Sequence, residues 1–530
     1  MALGAASPAL AAGDWLPAQK ITEADRSVPR VGMFGDGETV AAWSTGYLTA
    51  GSPETLTHLA GTPFGPAQPL SSEVGKGPVL ALNEAGAAAV AWHAVNSYEA
   101  QGWISLRTPG GAFGEPRDLN HFFNQLGIDR DGNTYALLSH SVDSATRQLE
   151  VATVPADGSA TITRVIGQAP DFLGPSMTVD PAGTVTVAWR AIREGETYAN
   201  THVYVATAAR GGDFGEPVIV SGAYQDNNLS GQATRVVSNA RGDVLVLWPA
   251  LDQSESSPTA SDQTIRGAFR PAGGSFGSEE QVPMPDARSR GTFSWDAAMG
   301  KDGDAVVAWS SLRNVSMTYR PASGPFEPAW IPPPYPVCCE QPPVAQVDPS
   351  VAFDGTGNAA VAYRGAHRVE VVRRPRLSEG FLAPQSAGES LDNFDPDIAF
   401  DRIGRGIVMW AAQEEWGSDD SKTDHGIYAA EYDPNAPPRL TRIVVRSKRR
   451  LGLEATEQGR ATFTVRRKGT RKGKPVLVKH PRVVPGYNPV ELTKAERRRL
   501  AQKARYVAVA TFTDGSGHTS NVATATFRSR

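Results

Sequence analysis

Between residues 14 and 433 the chain alternates short apolar stretches with tight turns, and one pattern recurs: an apolar strand, a turn, then an alternating strand that ends on a bulky side chain. It occurs eight times. Each copy is marked by a glycine and, six residues later, the bulky residue: Gly37 with Trp43, Gly86 with Trp92, Gly132 with Leu138, Gly183 with Trp189, Gly242 with Trp248, Gly303 with Trp309, Gly357 with Tyr363, and Gly404 with Trp410. The glycines span 367 residues over seven intervals, a mean of about 52, which is the scale of one four-stranded propeller blade.

The turns have a mechanism. In Asp180-Pro-Ala-Gly183, Asp354-Gly-Thr-Gly357 and Asp401-Arg-Ile-Gly404 the acid starts a type I turn and the glycine takes positive φ. Asn83, Asp129 and Asn239 stand at the same place, whereas the first and sixth copies carry Phe34 and Gly300, so glycine is the firmer requirement. A second element follows most copies, clearest in Gly110-Gly-Ala-Phe113-Gly, Gly211-Gly-Asp-Phe214-Gly and Gly273-Gly-Ser-Phe276-Gly, with Phe64, Phe326 and Phe381 in looser forms. It supplies third and fourth strands. A four-stranded sheet cannot bury both faces alone, so the copies must stack, with the aromatics between them.

After Trp410 the eighth copy offers a third strand, 426–432, and leaves through Asp433-Pro-Asn-Ala-Pro-Pro438. Residues 15–21 read as its missing outer strand, and a ring closed in this way has no exposed edges. The sequence therefore predicts an all-β chain: an eight-bladed β-propeller over 14–433 with N-terminal strand closure, falling back to seven blades if the third copy does not form one. A Pro-rich linker follows at 434–438. Residues 439–530 read as a small β-sandwich, with strands at 440–445, 461–465, 506–512 and 521–527 and a short helix within 494–504 capped by Thr493 and Glu496.

Composition fits this reading. A chain of 530 residues exceeds one ordinary core, and 53 Gly with 40 Pro describe a turn-rich folded protein. No stretch approaches the roughly 18 apolar residues of a membrane span. The net charge of −4 conceals an asymmetry: residues 437–530 hold 23 Lys+Arg against 5 Asp+Glu, or +18, leaving −22 on the rest. That is a basic module on an acidic body. The only cysteines, Cys338 and Cys339, are adjacent in a Pro-rich run; they form a strained vicinal disulfide or remain thiols, and neither is a disulfide framework. Residues 1–13 end in Ala9-Leu10-Ala11 and read as a residual signal-like segment, so the protein is expected to be secreted or at the cell surface.

The tail pattern of Leu500, Tyr506-Val-Ala-Val-Ala, Phe512-Thr-Asp514, Gly517 and Phe527 resembles the immunoglobulin-like modules appended to secreted bacterial proteins. The propeller is similar in topology to the sialidase-type propellers, but Gly-Gly-x-Phe-Gly stands where they carry an Asp-box, and the resemblance brings over no catalytic residue. The Gly-His and Trp-Asp signals of WD40 repeats and the paired glycines of kelch are missing too. Gly273-Gly-Ser275-Phe-Gly277 has the spacing of a nucleophile elbow, yet the equivalent turns carry Ala112 and Asp213 and no helix follows. Asp129-Arg-Asp131-Gly-Asn133 is half of a calcium loop and reads better as a hairpin turn. The nine His show no zinc spacing, so no metal or cofactor is expected.

Propeller chemistry gathers where strand two meets three and four meets one. That selects Arg30, His93, Arg190, Trp295, Arg364, Asp395, Glu414 and Trp416, with Asn120-His121-Phe122 alongside. The main expectation is a monomeric, exported, non-enzymatic recognition protein whose propeller face binds a glycan or protein ligand. Its basic tail would act as a tether or spacer, meeting an anionic cell-wall polymer rather than nucleic acid, because few aromatics interleave its charges. The alternative is a glycan-active enzyme, a sialidase-like hydrolase or a polysaccharide lyase. There Arg30, Arg190 and Arg364 would clamp a carboxylate, and Asp395 or Glu414 would be the acid. Convergence of those arginines beside a carboxylate pair separates the two readings.

Overall fold

The computed structural model describes residues 14–22, 29–45, 51–72, 74–94, 101–143, 145–193, 200–225, 233–254, 257–284, 294–310, 315–332, 349–365, 368–376, 378–389, 392–413, 425–434, 440–447, 450–455, 459–468, 475–483, 486–490, 492–500, 504–514 and 523–529. Segment 1–13, Cys338 and Cys339, and 435–438 of the linker lie outside them. Apart from the helix Lys494–Leu500, the regular structure described is β. No described helix is long and apolar enough to cross a membrane.

Two compact units divide the chain: Ala18–Leu382 with Gly388–Glu431, and Tyr432–Arg530 with Met1–Pro17 and Ala383–Ala387. The described residues of the first unit build a propeller-like series of eight small antiparallel sheets, most of them four-stranded, in which chain order is spatial order. The first strands are Arg30–Met33, Gly75–Leu82, Phe123–Ile128, Leu173–Val179, Arg235–Ser238, Trp295–Met299, Ser350–Phe353 and Asp392–Phe400. Each lies against the first strand of the next sheet, and Asp392–Phe400 lies against Arg30–Met33. At the other end of the series, Gln19–Thr22 pairs with His425–Asp433, Gln19 facing Ala429 and Lys20 facing Tyr428.

The eight repeat glycines all hold φ between +87° and +93°, a region closed to most side chains. The acids ahead of them work as expected: Asp354 Oδ1 accepts the N–H groups of Thr356 and Asn358, each at 2.9 Å, and Asp401 Oδ1 those of Ile403 and Arg405. The second strands read as unbroken apolar runs because neighbouring sheets cover both their faces. Trp43, Trp92, Trp248, Trp309 and Trp410 are at most 1 % exposed. Leu138 takes the same place in the third sheet, whose four strands all form. In four sheets the fourth strand shrinks to two residues, as at Arg117–Asp118 and Val218–Ile219, whereas in the third it runs over Ile162–Ala169; the sixth sheet keeps three described strands, with a lone bridge between Met317 and Trp330.

In the second unit two antiparallel sheets share one core. Leu440–Ser447, Arg450–Ala455 and Gly486–Val490 form one; Leu477–Lys479, Gly459–Arg467, Ala504–Asp514 and Ala523–Ser529 form the other. Leu451, Leu453, Phe463, Val465, Leu500, Tyr506 and Ala508 fill the space between. The capping box is reciprocal: the Glu496 N–H donates to Thr493 Oγ1 at 3.3 Å and the Thr493 N–H to Glu496 Oε2 at 2.7 Å. Asp14–Trp15 pairs with the end of His425–Asp433 and not with either of these two sheets, Trp15 facing Tyr432.

Candidate functional site

Seven residues ahead of each repeat glycine, the first strand of every sheet presents an equivalent residue, paired with the one just before the strand-two aromatic position. The registers are Arg30 with Ala42, Val79 with Ala91, Gln125 with Leu137, Ser176 with Ala188, Arg235 with Leu247, Asp296 with Ala308, Ser350 with Ala362, and Asp397 with Met409. In four sheets a β-bulge immediately precedes this residue, before Val79, Gln125, Ser176 and Asp397. Bulges re-aim the side chains that follow them. Taken in sheet order from the fifth back to the first, the residues are Arg235, Asp296, Ser350, Asp397 and Arg30: two carboxylates around a hydroxyl, with an arginine at each end.

At four seams this side chain receives the backbone N–H of the next first strand. Gln125 accepts from Met177 at 2.9 Å, Asp296 from Val351 at 2.9 Å, Ser350 Oγ from Ile398 at 3.3 Å, and Asp397 Oδ2 from Val31 at 2.8 Å. These bonds satisfy backbone donors on the free edge of each sheet. The last of them joins the eighth sheet to the first. Ser350 also donates its hydroxyl to Asp397 Oδ1 at 2.8 Å, linking the two oxygens at the centre of the arc.

Arg235 Nε stands 3.9 Å from Asp296 Oδ1, and its Nη2 donates to the Trp295 carbonyl at 3.3 Å. Burial nevertheless holds the Asp296 carboxyl above the usual range; Arg235 and the Val351 N–H oppose the shift, and the negative charge of Asp397 adds to it. A carboxyl so placed keeps its proton to higher pH than an exposed one, which suits it to donating that proton.

Of the residues singled out in the sequence, Arg30 is exposed and belongs to this arc. Arg190 is 2 % exposed in the second strand of the fourth sheet, and Arg364 is half-buried in that of the seventh, so of the three arginines Arg30 alone shares the register position of the carboxylates. Trp295 is 6 % exposed and packs in the core beside Trp309 and Val282, with the Arg235 guanidinium 5.9 Å from its ring. The backbone of Asp395 runs in Asp392–Phe400; its side chain, and Glu414 and Trp416, lie outside the described residues. Asp296, Asp397 and Arg235 were missed. Their signal is the constant offset from the glycine, which alignment of the eight copies displays.

A second cluster sits where the second sheet meets the third. His93 is stacked with Phe122 and Phe123, each at 4.1 Å, and Phe122 remains 40 % exposed. Next to it the rings of His121 and His140 stack at 3.9 Å and 8°. Asn120, at φ 62°, is the one non-glycine residue with positive φ among those described, and it delivers His121 to this place, its N–H donated to Asp118 Oδ1 at 2.6 Å. Burial, chiefly, and the neighbouring His121 hold His140 below the ordinary imidazole range, against the pull of Glu150.

No protein-family profile matches the sequence, and no curated protein does. Solved structures with detectable similarity include the Penicillium chrysogenum α-L-arabinanase complexed with arabinobiose, at 9 % identity over 79 % of this chain and 99 % of that one, with a TM-score of 0.38. Polysaccharide lyase Uly1 gives 11 % identity over 79 % and 99 %, with a TM-score of 0.40. Puromycin hydrolase gives 15 % identity over 74 % of this chain and 60 % of that chain, with a TM-score of 0.41. At such scores none of these likenesses assigns an activity to this chain.

Proposed function

We propose that residues 14–433 are an eight-bladed β-propeller and that the arc Arg235–Asp296–Ser350–Asp397–Arg30 at the mouth of its central ring binds and cleaves a carbohydrate. One observation carries this reading. Gln125 and Ser350 tie neighbouring strands with neutral oxygens, so the fold does not need charge at this position; two carboxylates between two arginines exceed what the seams require. Asp296, whose burial favours the protonated form, donates a proton to the leaving glycosidic oxygen, and Asp397 acts as the partner carboxylate. Arg30 and Arg235 suit the carboxylate of an acidic sugar. The test is release of reducing ends, or of unsaturated uronide absorbance, from a panel of neutral and acidic polysaccharides. Asp296→Asn and Asp397→Asn are each expected to lower the rate about a hundredfold or more. Unchanged rates in both variants, or no product from any polymer, would overturn it.

Recognition without turnover is the second reading, favoured because both oxygens of Asp397 already accept hydrogen bonds. It expects retention on immobilised glycan with no product, weakened in Arg30→Ala. The basic unit, similar to an immunoglobulin-like module, is proposed as a tether to anionic polymer. Arg466, Arg467, Lys468, Arg498 and Arg499 are exposed on it. Retention of the whole protein on a polyanion should fall steeply with salt and drop further in an Arg466→Ser/Arg467→Ser/Lys468→Ser variant.

A further inference from the structure

We propose that His121, His140 and Glu150 form a site for a divalent transition-metal ion, with zinc the expected occupant. One ligand atom from each lies within 4.8 Å of the other two. Two imidazoles and a carboxylate are a donor set for zinc, nickel or copper rather than for calcium or magnesium, which prefer oxygen. The three come from different elements. His140 closes the second strand of the third sheet opposite Gln148, Glu150 lies on the third strand opposite Leu138, and His121 comes from the loop before the first strand.

Glu150 is the anchor. Its side chain is only 6 % exposed, and a carboxylate so deeply placed needs a positive partner. Its Oε1 stands 3.6 Å from His140 Nδ1, too far for a hydrogen bond, and that buried nitrogen has no hydrogen-bond partner. An ion between the two would supply the positive charge. The outer support is in place: the Gln148 amide donates to Glu150 Oε2 at 2.8 Å, and the Gln168 amide to Gln148 Oε1 at 2.7 Å, which fixes the carboxylate as metal ligands are usually fixed. Arg147 brings the opposing positive charge, and its guanidinium is engaged with Ser139 Oγ at 3.2 Å.

The arrangement differs from a closed tetrahedral site in one respect. Bonds of about 2.1 Å around a tetrahedral ion put neighbouring ligand atoms roughly 3.4 Å apart. The parallel rings of His121 and His140 aim their in-plane lone pairs side by side rather than at a common point. His121, on its loop, is the member free to turn, exchanging ring stacking for a metal bond. Three protein ligands leave a position for water or an exogenous group.

The inference is independent of carbohydrate binding at the ring. It is tested by titrating zinc chloride, and separately cobalt chloride, into the full chain after treatment with chelator. One saturable equivalent, visible cobalt bands of a nitrogen- and oxygen-ligated ion, and a raised melting temperature with zinc are expected. His121→Ala lies on a loop and Glu150→Gln preserves shape, so both should fold, as far-UV circular dichroism will verify; each should weaken zinc binding about a hundredfold. Absence of a saturable equivalent, affinity unchanged in both variants, or the intense near-ultraviolet absorption of a cobalt thiolate would overturn the assignment.

Discussion

Sheets two to four and the arc from sheet five round to sheet one present the same backbone position, at the same register, with different chemistry. The first group carries Val79, Gln125 and Ser176; the second carries Arg235, Asp296, Ser350, Asp397 and Arg30. In both, an oxygen receives the N–H of the next first strand, from Met177 on Gln125 in the one and from Val351 on Asp296 in the other, each at 2.9 Å. The shared hydrogen bond belongs to the fold. What differs, the clustering of charge on one side of the series, is unexplained by the fold and is the ground for placing function there.

The contrast breaks most decisively through Asp296→Asn and Asp397→Asn. Each keeps an acceptor oxygen for its seam, so a rate loss of about a hundredfold should come with a change in unfolding free energy of only about 1 kcal/mol or less by urea titration. A loss of several kcal/mol would reduce the carboxylates to fasteners. Gln125→Ala should do the reverse, costing about 1–2 kcal/mol by leaving the Met177 N–H unpaired, with carbohydrate binding unaltered. Arg30→Ala and Arg235→Ala should weaken an acidic polysaccharide by about tenfold, or about 1.4 kcal/mol, and leave a neutral one untouched in the same retention assay. The smallest effect concerns pH. Because the folded Asp296 carboxyl titrates above its unfolded value, its stabilising contribution is present below about pH 4 and is lost as pH rises through the folded value. Asp296→Asn lacks that loss, so the stability gap between wild type and variant should narrow on acidification; a constant gap in urea midpoints would contradict the burial argument.

Much of the fold was legible because it rests on sameness. A glycine at positive φ with a large apolar residue six positions later is required in every sheet, and even Leu138 shows through by spacing alone. Thr493 and Glu496 were equally readable, since a capping box is local. The arc was not, because its position is constant while its residues range over Arg, Val, Gln, Ser and Asp, and a search for repeats discards what varies. Arg30 was found by its place in the first copy; Asp296 and Asp397 needed the register. Trp295 was placed in the loop ahead of the first strand of the sixth sheet; it opens that strand instead, and alternation turns its ring into the core. His121, His140 and Glu150 follow no ligand spacing, and strand pairing alone brings His140 and Glu150 onto neighbouring strands.

The pairing of Gln19–Thr22 with His425–Asp433 sets the order of events during synthesis. The segment that completes the eighth sheet leaves the ribosome about 400 residues ahead of its partner. At roughly 5–20 residues per second, it waits some 20–80 s with an unsatisfied edge. Chaperones, proteases and misdirected strand exchange all have access to the nascent chain in that interval, and trimming of those few residues would leave the last sheet with a bare margin.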